Sequence, residues 1–350
     1  MYLFIYIFSI FTSLYHNKYF KYFVVPILGL LLILVAGLRK EGVDNDYFSY
    51  AIMFKYNVHD TSTYIPFASS EITSYLIPRF FYAISKEHYI VLSFIAYAFF
   101  GVGFKIYALR NYKYFLLAIV LYVSNLYFLQ EFTTIRAGVA SGLLLMAIFD
   151  LVKKKNTSFF LKVLFATLFH YSSIVFVVVW FVQRFNIKYY LLLGVLAFSL
   201  MVPILNLNFV TLLYLDQLFP KAAIYLEIMK SEQMALNLFN FRILIAFGLM
   251  FVFLIFRKRI NFEGFDLFLK IHILSLIFFY LFSTLGLAFS LRLFEMFSIV
   301  QLVLFPLLVL IFPLRLRFYG YLTVLGIGTL YFFYNIYLSG IIRAYSSWII

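Results

Sequence analysis

Residues 159–184 read FFLKVLFATLFHYSSIVFVVVWFVQR, an apolar run with basic residues at both ends. Lys153, Lys154, Lys155 and Lys162 precede or open it, and Arg184 and Lys188 close it. Lys and Arg collect in the cytoplasmic loops of polytopic membrane proteins, so both flanks belong on one side. A single crossing would separate them. The run is therefore expected to form a helical hairpin turning near His170-Tyr171-Ser172-Ser173. Each arm has roughly 12 residues, about 18 Å long, against a hydrocarbon core of about 30 Å. The turn should then lie deep in the outer half of the membrane, where polar backbone is tolerated only against protein or a wet cavity.

Composition sets the class around this segment. Of 350 residues, 65% are apolar and 12% charged, about half the charge of a soluble domain, and the mean hydropathy is +1.00. The apolar runs are continuous, which excludes the alternating pattern of a membrane β-barrel. The chain is expected to be all-α, a polytopic integral membrane protein with about 10–12 transmembrane helices, residues 1–350 forming a single membrane domain. Beyond the hairpin, spans are placed near 2–15, 23–38, 89–109, 114–129, 132–152, 189–206, 241–257, 266–288, 293–312 and 318–339. Residues 1–15 lack a basic start and a small-residue cleavage site, so they read as a first membrane helix. No cysteine is present, which excludes disulfides and thiolate metal sites.

With the N-terminus outside, the clusters Lys18/Lys21, Arg110/Lys113, Lys153–Lys155, Arg257–Arg259 and Arg315/Arg317 all fall on the cytoplasmic side. The acids, not used in that placement, test it. The inner side carries three, Asp150, Glu263 and Asp266, so the whole net charge of +14 lies there. The excess reports topology and not a nucleic-acid partner. Two long extracytoplasmic loops remain. Residues 39–88 include an amphipathic segment at 69–85, expected as an interfacial helix, and residues 207–240 form the second loop. The short inner loops show no Gly-rich phosphate loop and no soluble nucleotide domain, so any chemistry faces outward and needs a pre-activated, membrane-borne substrate.

Charged residues at membrane depth are costly and point to function. Arg39 ends the second helix, Arg136 lies one turn into FLQEFTTIRAGVASG, Arg242 opens the helix after the second loop, and Arg292 sits in FSLRLFEMF between two helices. Four guanidiniums on one face suit a diphosphate, which arginine binds through its planar fork. Snorkelling to headgroups is the plainer reading of each, and a local pair with Glu295 is another for Arg292. For Arg136, the Gly138-x-x-x-Gly142 pattern marks a tightly packed face that points it inward. His170, at the expected turn, is either a satisfied core histidine or a base. Asp44 and Asp46 are bases, calcium ligands or ordinary loop polarity. Outer rings such as Tyr47 and Tyr50 serve for sugar stacking or for interface anchoring. The remaining histidines are scattered, so no metal site is expected.

Taken in order, Arg39, Gly42, Asp46, Tyr47 and Tyr50, then Ile135, Arg136, Gly138 and Ala140, then Ala166, Phe169, His170 and Ser172, then Arg292 form a series of short landmarks. The series, covering about residues 35–295, resembles the EpsG/Wzy type of bacterial polysaccharide polymerase. Ala137 departs from the family's usual glutamine. The resemblance implies a membrane-embedded glycosyltransferase of the bacterial cytoplasmic (inner) membrane, active on its periplasmic or extracellular face. It would polymerise undecaprenyl-diphosphate-linked oligosaccharide repeats, with no cofactor and no metal. Its partners would be these lipid-linked glycans, the bilayer, a chain-length regulator and a flippase. The expected catalytic set is His170, Asp44 and Arg136, with Asp46 a second base candidate. The expected diphosphate and glycan contacts are Arg39, Asp46, Arg136, Arg242, Arg292, Tyr47 and Tyr50. Other readings stay open: a flippase or exporter of lipid-linked oligosaccharide, an O-antigen-ligase-type transferase, a membrane O-acyltransferase, or a structural assembly partner.

Overall fold

The computed structural model describes residues 1–14, 18–60, 71–208, 237–285 and 287–348. Its regular structure is helical, and the chain is a polytopic membrane protein. Five helices are long and apolar enough to cross a bilayer: Tyr89–Leu109, Phe115–Thr133, Ile135–Val152, Phe289–Ile311 and Leu314–Leu338. Five shorter apolar helices accompany them among the described residues. In chain order the elements are α1 (Tyr2–Leu14), α2 (Lys18–Gly37), α3 (Tyr47–His59), α4 (Thr73–Ile84) and α5 (Tyr89–Leu109). Next comes α6 (Phe115–Leu121), which continues as a π-helix (Tyr122–Thr133), then α7 (Ile135–Val152) and α8 (Asn156–Phe169). A 3₁₀ turn (Tyr171–Phe176) leads to α9 (Val177–Arg184) and α10 (Tyr189–Ile204). After 209–236 follow α11 (Phe241–Phe256), α12 (Phe265–Leu281), α13 (Leu287–Ser298), α14 (Gln301–Leu304) and α15 (Arg317–Phe333).

Two compact units are formed, Met1–Ile174 with Phe305–Ile350, and Val175–Leu304. In the first, α5 packs on α2 and α7, and α7 on α8. In the second, α10, α11 and α13 all pack on α12. Of the helical hairpin expected over 159–184 the structure shows the break: His170 is extended at φ −152°, ψ 110° and ends α8, and α8 falls in one compact unit and α9 in another. The amphipathic segment forms α4, and α3 precedes it in what was expected to be open loop. Most of the second long loop, 209–236, lies outside the described residues.

Phe115–Thr133 is the centre of the first unit, with 94% of the span buried. A span with no lipid face can hold polar residues, and Ser124, Asn125, Gln130, Glu131 and Thr133 are all buried here. Their local preferences widen the helix to π geometry, as in the Thr134 amide bonding the Leu129 carbonyl, five residues back. Asn335 Nδ2 donates to the carbonyls of Ser124 and Asn125 at 2.8 and 3.0 Å. The centre is locked by a fully buried ion pair. Lys105 Nζ on α5 donates to Glu131 Oε1 at 2.6 Å and to the Gly138 carbonyl at 2.6 Å. Tyr122 OH donates to the same carboxylate oxygen at 2.9 Å. The pair requires glycine around it. A Cβ on Gly101 would overlap Glu131 Oε2, and one on Gly138 would sit 2.6 Å from the Gln130 carbonyl. The packed face expected from the Gly138/Gly142 spacing is thus the α5–α7 contact.

The first loop is held from the far end of the chain. Residues 38–44 and 342–348 run antiparallel in one register, with bridges Arg39–Ser347 and Asp44–Ile342. The amides of Lys40, Arg343 and Trp348 bond the carbonyls of Ser346, Val43 and Leu38 at 3.0, 2.9 and 2.9 Å. Tyr2 OH reaches the Arg343 carbonyl at 3.0 Å and Tyr345 OH that of Val35 at 3.1 Å. Tyr2, the end of α2 and residues 342–348 therefore lie together.

One boundary is corrected. Arg292 was expected between two helices, and it lies within α13. The chain turns earlier, at Ser283–Leu285, where Ser283 Oγ bonds the Tyr280 carbonyl at 2.7 Å and Thr284 Oγ1 that of Leu207 at 2.9 Å. Hydroxyls that satisfy local backbone at a turn explain the shift.

Two outcomes follow. Removing one partner of a buried pair costs about 3–5 kcal/mol, whereas apolar replacement of both is often neutral. Lys105→Met should therefore lower thermal stability in detergent strongly, and Lys105→Met/Glu131→Met should recover most of it. Losses that simply add would contradict the pairing. Arg343→Pro removes the amide that bonds Val43, so hydrogen exchange at residues 40–44 should rise. Unchanged protection there would show that the tail does not hold the loop.

Candidate functional site

Arg39 and Asp44, at the end of α2, make a closed pair. Arg39 Nε donates to Asp44 Oδ2 at 2.6 Å, and neither side chain has exposed surface. Its other nitrogens donate to the Ala36 carbonyl and, at 2.7 Å, to the Phe132 carbonyl. The guanidinium also lies over the Phe94 and Phe132 rings, 4.6 and 5.0 Å from their centroids. Asp44 Oδ1 accepts from the amides of Asp46 and Tyr47 at 3.0 and 2.9 Å, which starts α3 as a helix cap does. Every strong donor and acceptor here is spent on the fold. Asp46 is half-buried at the head of α3. Tyr47 is buried, stacked on Phe94 at 4.5 Å, with Trp348 Nε1 donating to its hydroxyl at 3.4 Å. Burial pushes the Tyr47 phenol above its ordinary range, the Trp348 hydrogen bond and Arg39 pulling the other way. Tyr47 therefore stays protonated at neutral pH.

A second cluster lies across the aromatic core formed by Tyr47, Phe54, Phe94, Tyr97, Ile135 and Val139. Its centre is Glu71, just ahead of α4. One carboxylate oxygen pairs with Arg136 NH1 in the first turn of α7. The other lies 3.5 Å from His170 Nδ1, at the break after α8. The Glu71 side chain is 5% exposed, against 24% for Arg136 and 13% for His170, so the carboxylate is enclosed and the two nitrogen-bearing groups are open. Tyr50, half-buried on α3, places its ring 5.6 Å from the Arg136 guanidinium carbon.

Local structure fixes each member. The Ser74 amide and hydroxyl both bond the Glu71 carbonyl, at 2.9 and 2.6 Å. Thr73 Oγ1 bonds the Leu168 carbonyl at 3.2 Å, joining the start of α4 to the end of α8. Asn57 Nδ2 bonds the Ser74 carbonyl, and Arg79 donates to the carbonyls of Asn57 and Asp60, which ties α3 to α4. The His170 amide bonds the Ala166 carbonyl and its own carbonyl takes the Ser173 amide, both at 2.9 Å.

Chemically the cluster holds a permanent cation, a titratable imidazole and a shared carboxylate. His170 Nδ1 is the ring nitrogen near Glu71, and a neutral imidazole carries one nitrogen able to take a proton. Arg136 Nε is buried and makes no hydrogen bond. An unmade bond of that kind costs about 1–3 kcal/mol, which an incoming phosphate oxygen would recover.

Of the expected site residues, the structure brings together Arg136, His170 and Tyr50, and sets Arg39, Asp44, Asp46 and Tyr47 around the closed pair nearby. Arg242 and Arg292 belong to the second unit. There Arg242, in the first turn of α11, pairs with Glu295 at 3.1 Å. This is a contact between separate helices. Glu71 was not singled out from sequence, where it read as polarity of an interfacial segment. The trace it leaves is the Ser-Ser-Glu run ahead of α4. Lys105 and Glu131 were missed too, although Lys105 stands more than a turn deeper than the rim residue Arg110.

A family model described as the EpsG family matches residues 22–349. No curated relative and no solved structure matches the chain. The matched region takes in both charged clusters and the end of the chain that holds the first loop, so the chain belongs to the EpsG family.

Proposed function

We propose that this protein polymerises undecaprenyl-diphosphate-linked oligosaccharide repeats into surface polysaccharide, on the outer face of the bacterial cytoplasmic membrane. EpsG membership supports a polysaccharide-polymerase-type role in general. The observation that carries the finer reading is the open Arg136–Glu71–His170 cluster, set beside two fully closed ion pairs in the same unit.

In this reading the bond between the donor sugar's anomeric carbon and the diphosphate oxygen breaks. The electron pair leaves with the lipid diphosphate, and a new bond forms from that carbon to an acceptor hydroxyl. Arg136 takes the growing negative charge, exchanging its carboxylate partner for phosphate oxygens of the same planar geometry. Donors held ready in a water-poor site stabilise such charge strongly. The acceptor proton passes to the His170 imidazole. Glu71, freed in part from Arg136, then faces the imidazolium it already touches, so charge is balanced on both sides of the transfer. Tyr50 offers a ring for the glycan beside the diphosphate. Arg39 and Asp44 act by position, holding the first loop and the start of α3. Lipid-linked glycans are the substrates, and a flippase and a chain-length regulator are the protein partners this role requires.

The test is glycan length in cells that make the cognate lipid-linked repeat, with variants at matched protein levels. Arg136→Ala and His170→Ala should shorten ladders to one or a few repeats, consistent with losses of about 10²-fold or more for a lost charge stabiliser or base. Arg136→Lys should not restore length, since lysine lacks the planar fork. Glu71→Gln should fall between these and the wild type. Long ladders in cells lacking the protein would end the polymerase reading. Absence of repeats from the outer face in those cells would favour a flippase.

A further inference from the structure

A groove of about 500 Å³ runs between α4 and α5 in the first unit. Leu76, Phe80 and Phe81 form one wall and Leu92, Phe99 and Phe100 the other. All are apolar. Arg79, the one charged residue of α4, is turned away to the carbonyls of Asn57 and Asp60. From Leu92 to Phe100 the groove follows α5 for about 12 Å at ~1.5 Å per residue. Leu76, Phe80 and Phe99 are 53%, 63% and 57% exposed, so the groove is open along its rims.

The groove lies near the charged cluster, whose members do not themselves line it. Leu76 lies just over a turn from Glu71, and Phe100 meets the Phe169 ring at 6.4 Å, next to His170. An apolar channel near a partly exposed arginine whose buried Nε makes no hydrogen bond fits an amphiphile with an anionic head and a long hydrocarbon tail. We propose that the α4–α5 groove seats the polyprenyl chain of the lipid diphosphate whose head is taken by Arg136. This rests on the polymerase reading for the identity of the head group. A single branched, unsaturated chain lies along the four phenylalanine rings and gains dispersion contact over its whole length. Seating the first isoprene units fixes the diphosphate at Arg136 before the glycan is placed. The groove thereby selects for the carrier and not for the sugars.

The test uses the full chain in nanodiscs of phosphatidylethanolamine and phosphatidylglycerol, with a diazirine-bearing polyprenyl diphosphate and, in parallel, a diazirine-bearing acyl phospholipid. Labelled peptides are read by mass spectrometry. The polyprenyl probe should label 76–81 and 92–100, and unlabelled polyprenyl diphosphate should compete it away at least tenfold while added phosphatidylglycerol does not. Ala96→Trp, which fills the groove from α5, should cut that labelling at least tenfold. Leu76→Gln, at an exposed rim where folding is undisturbed, should cut it several-fold. Equal labelling by the acyl probe without competition would mean that bilayer lipid fills the groove, and would overturn the proposal. So would competed labelling confined to other segments. Glycan ladders that depend on Arg136, together with no competed label in the groove, would sink the groove alone. Competed label in the groove, together with ladders independent of the protein, would sink the polymerase reading and leave the groove standing.

Discussion

Two full charges in a water-free interior are tolerable only together, and the Lys105–Glu131 pair imposes that condition on the whole first unit. Its demands are steric as much as electrostatic. Lys105 must also find the Gly138 carbonyl, so α5 and α7 approach until a Cβ on Gly142 would crowd Phe104, while Glu131 and the Gln130 carbonyl leave no room for one at Gly101 or Gly138. The carboxylate must be brought to the lysine, and the span that carries it widens to π geometry on the way. Arg136 stands two residues before Gly138, on a stretch of α7 whose position the pair has fixed. The site is thus placed by a contact that takes no part in it.

Buried charge recurs in three further pairs, and they are not alike. Arg39–Asp44 is sealed, with every nitrogen of the guanidinium bonded to protein oxygen. Arg242–Glu295 is nearly so, at 7% and 10% exposure. Glu71 differs because it divides one carboxylate between two partners that both reach the surface. A sealed pair stabilises a single arrangement. A divided one sets a single carboxylate between a guanidinium and an imidazole, and this is the arrangement that the proposed function draws on.

What the sequence made legible follows from range. Continuous apolar runs and basic flanks gave the spans, and conflicting charge around 159–184 located the break at His170. The spacing of Gly138 and Gly142 turned Arg136 inward. These signals are local or periodic. Glu71 meets Arg136 across 65 positions, and Arg242 meets Glu295 across 53. No period joins such residues, and a nearer acid or base always offers a plausible local partner, as Arg292 did for Glu295. Lys105 was hidden by its neighbours, since a lysine close to a basic rim looks like part of that rim. The antiparallel pairing of 342–348 escaped because a short irregular segment carries no pattern at all.

That pairing also orders events in time. The ribosome makes residues 38–44 long before 342–348, yet each supplies the other's backbone partners. The first loop waits through the insertion of the helices between with the Lys40 amide and the Leu38 and Val43 carbonyls unmatched, and α3 starts from an aspartate whose loop is not yet secured. A chain lacking residues 342–348 would keep the described apolar helices and still lack the settled loop beside its charged cluster. Synthesis of that segment, rather than insertion of the helices before it, is the step that secures the first loop.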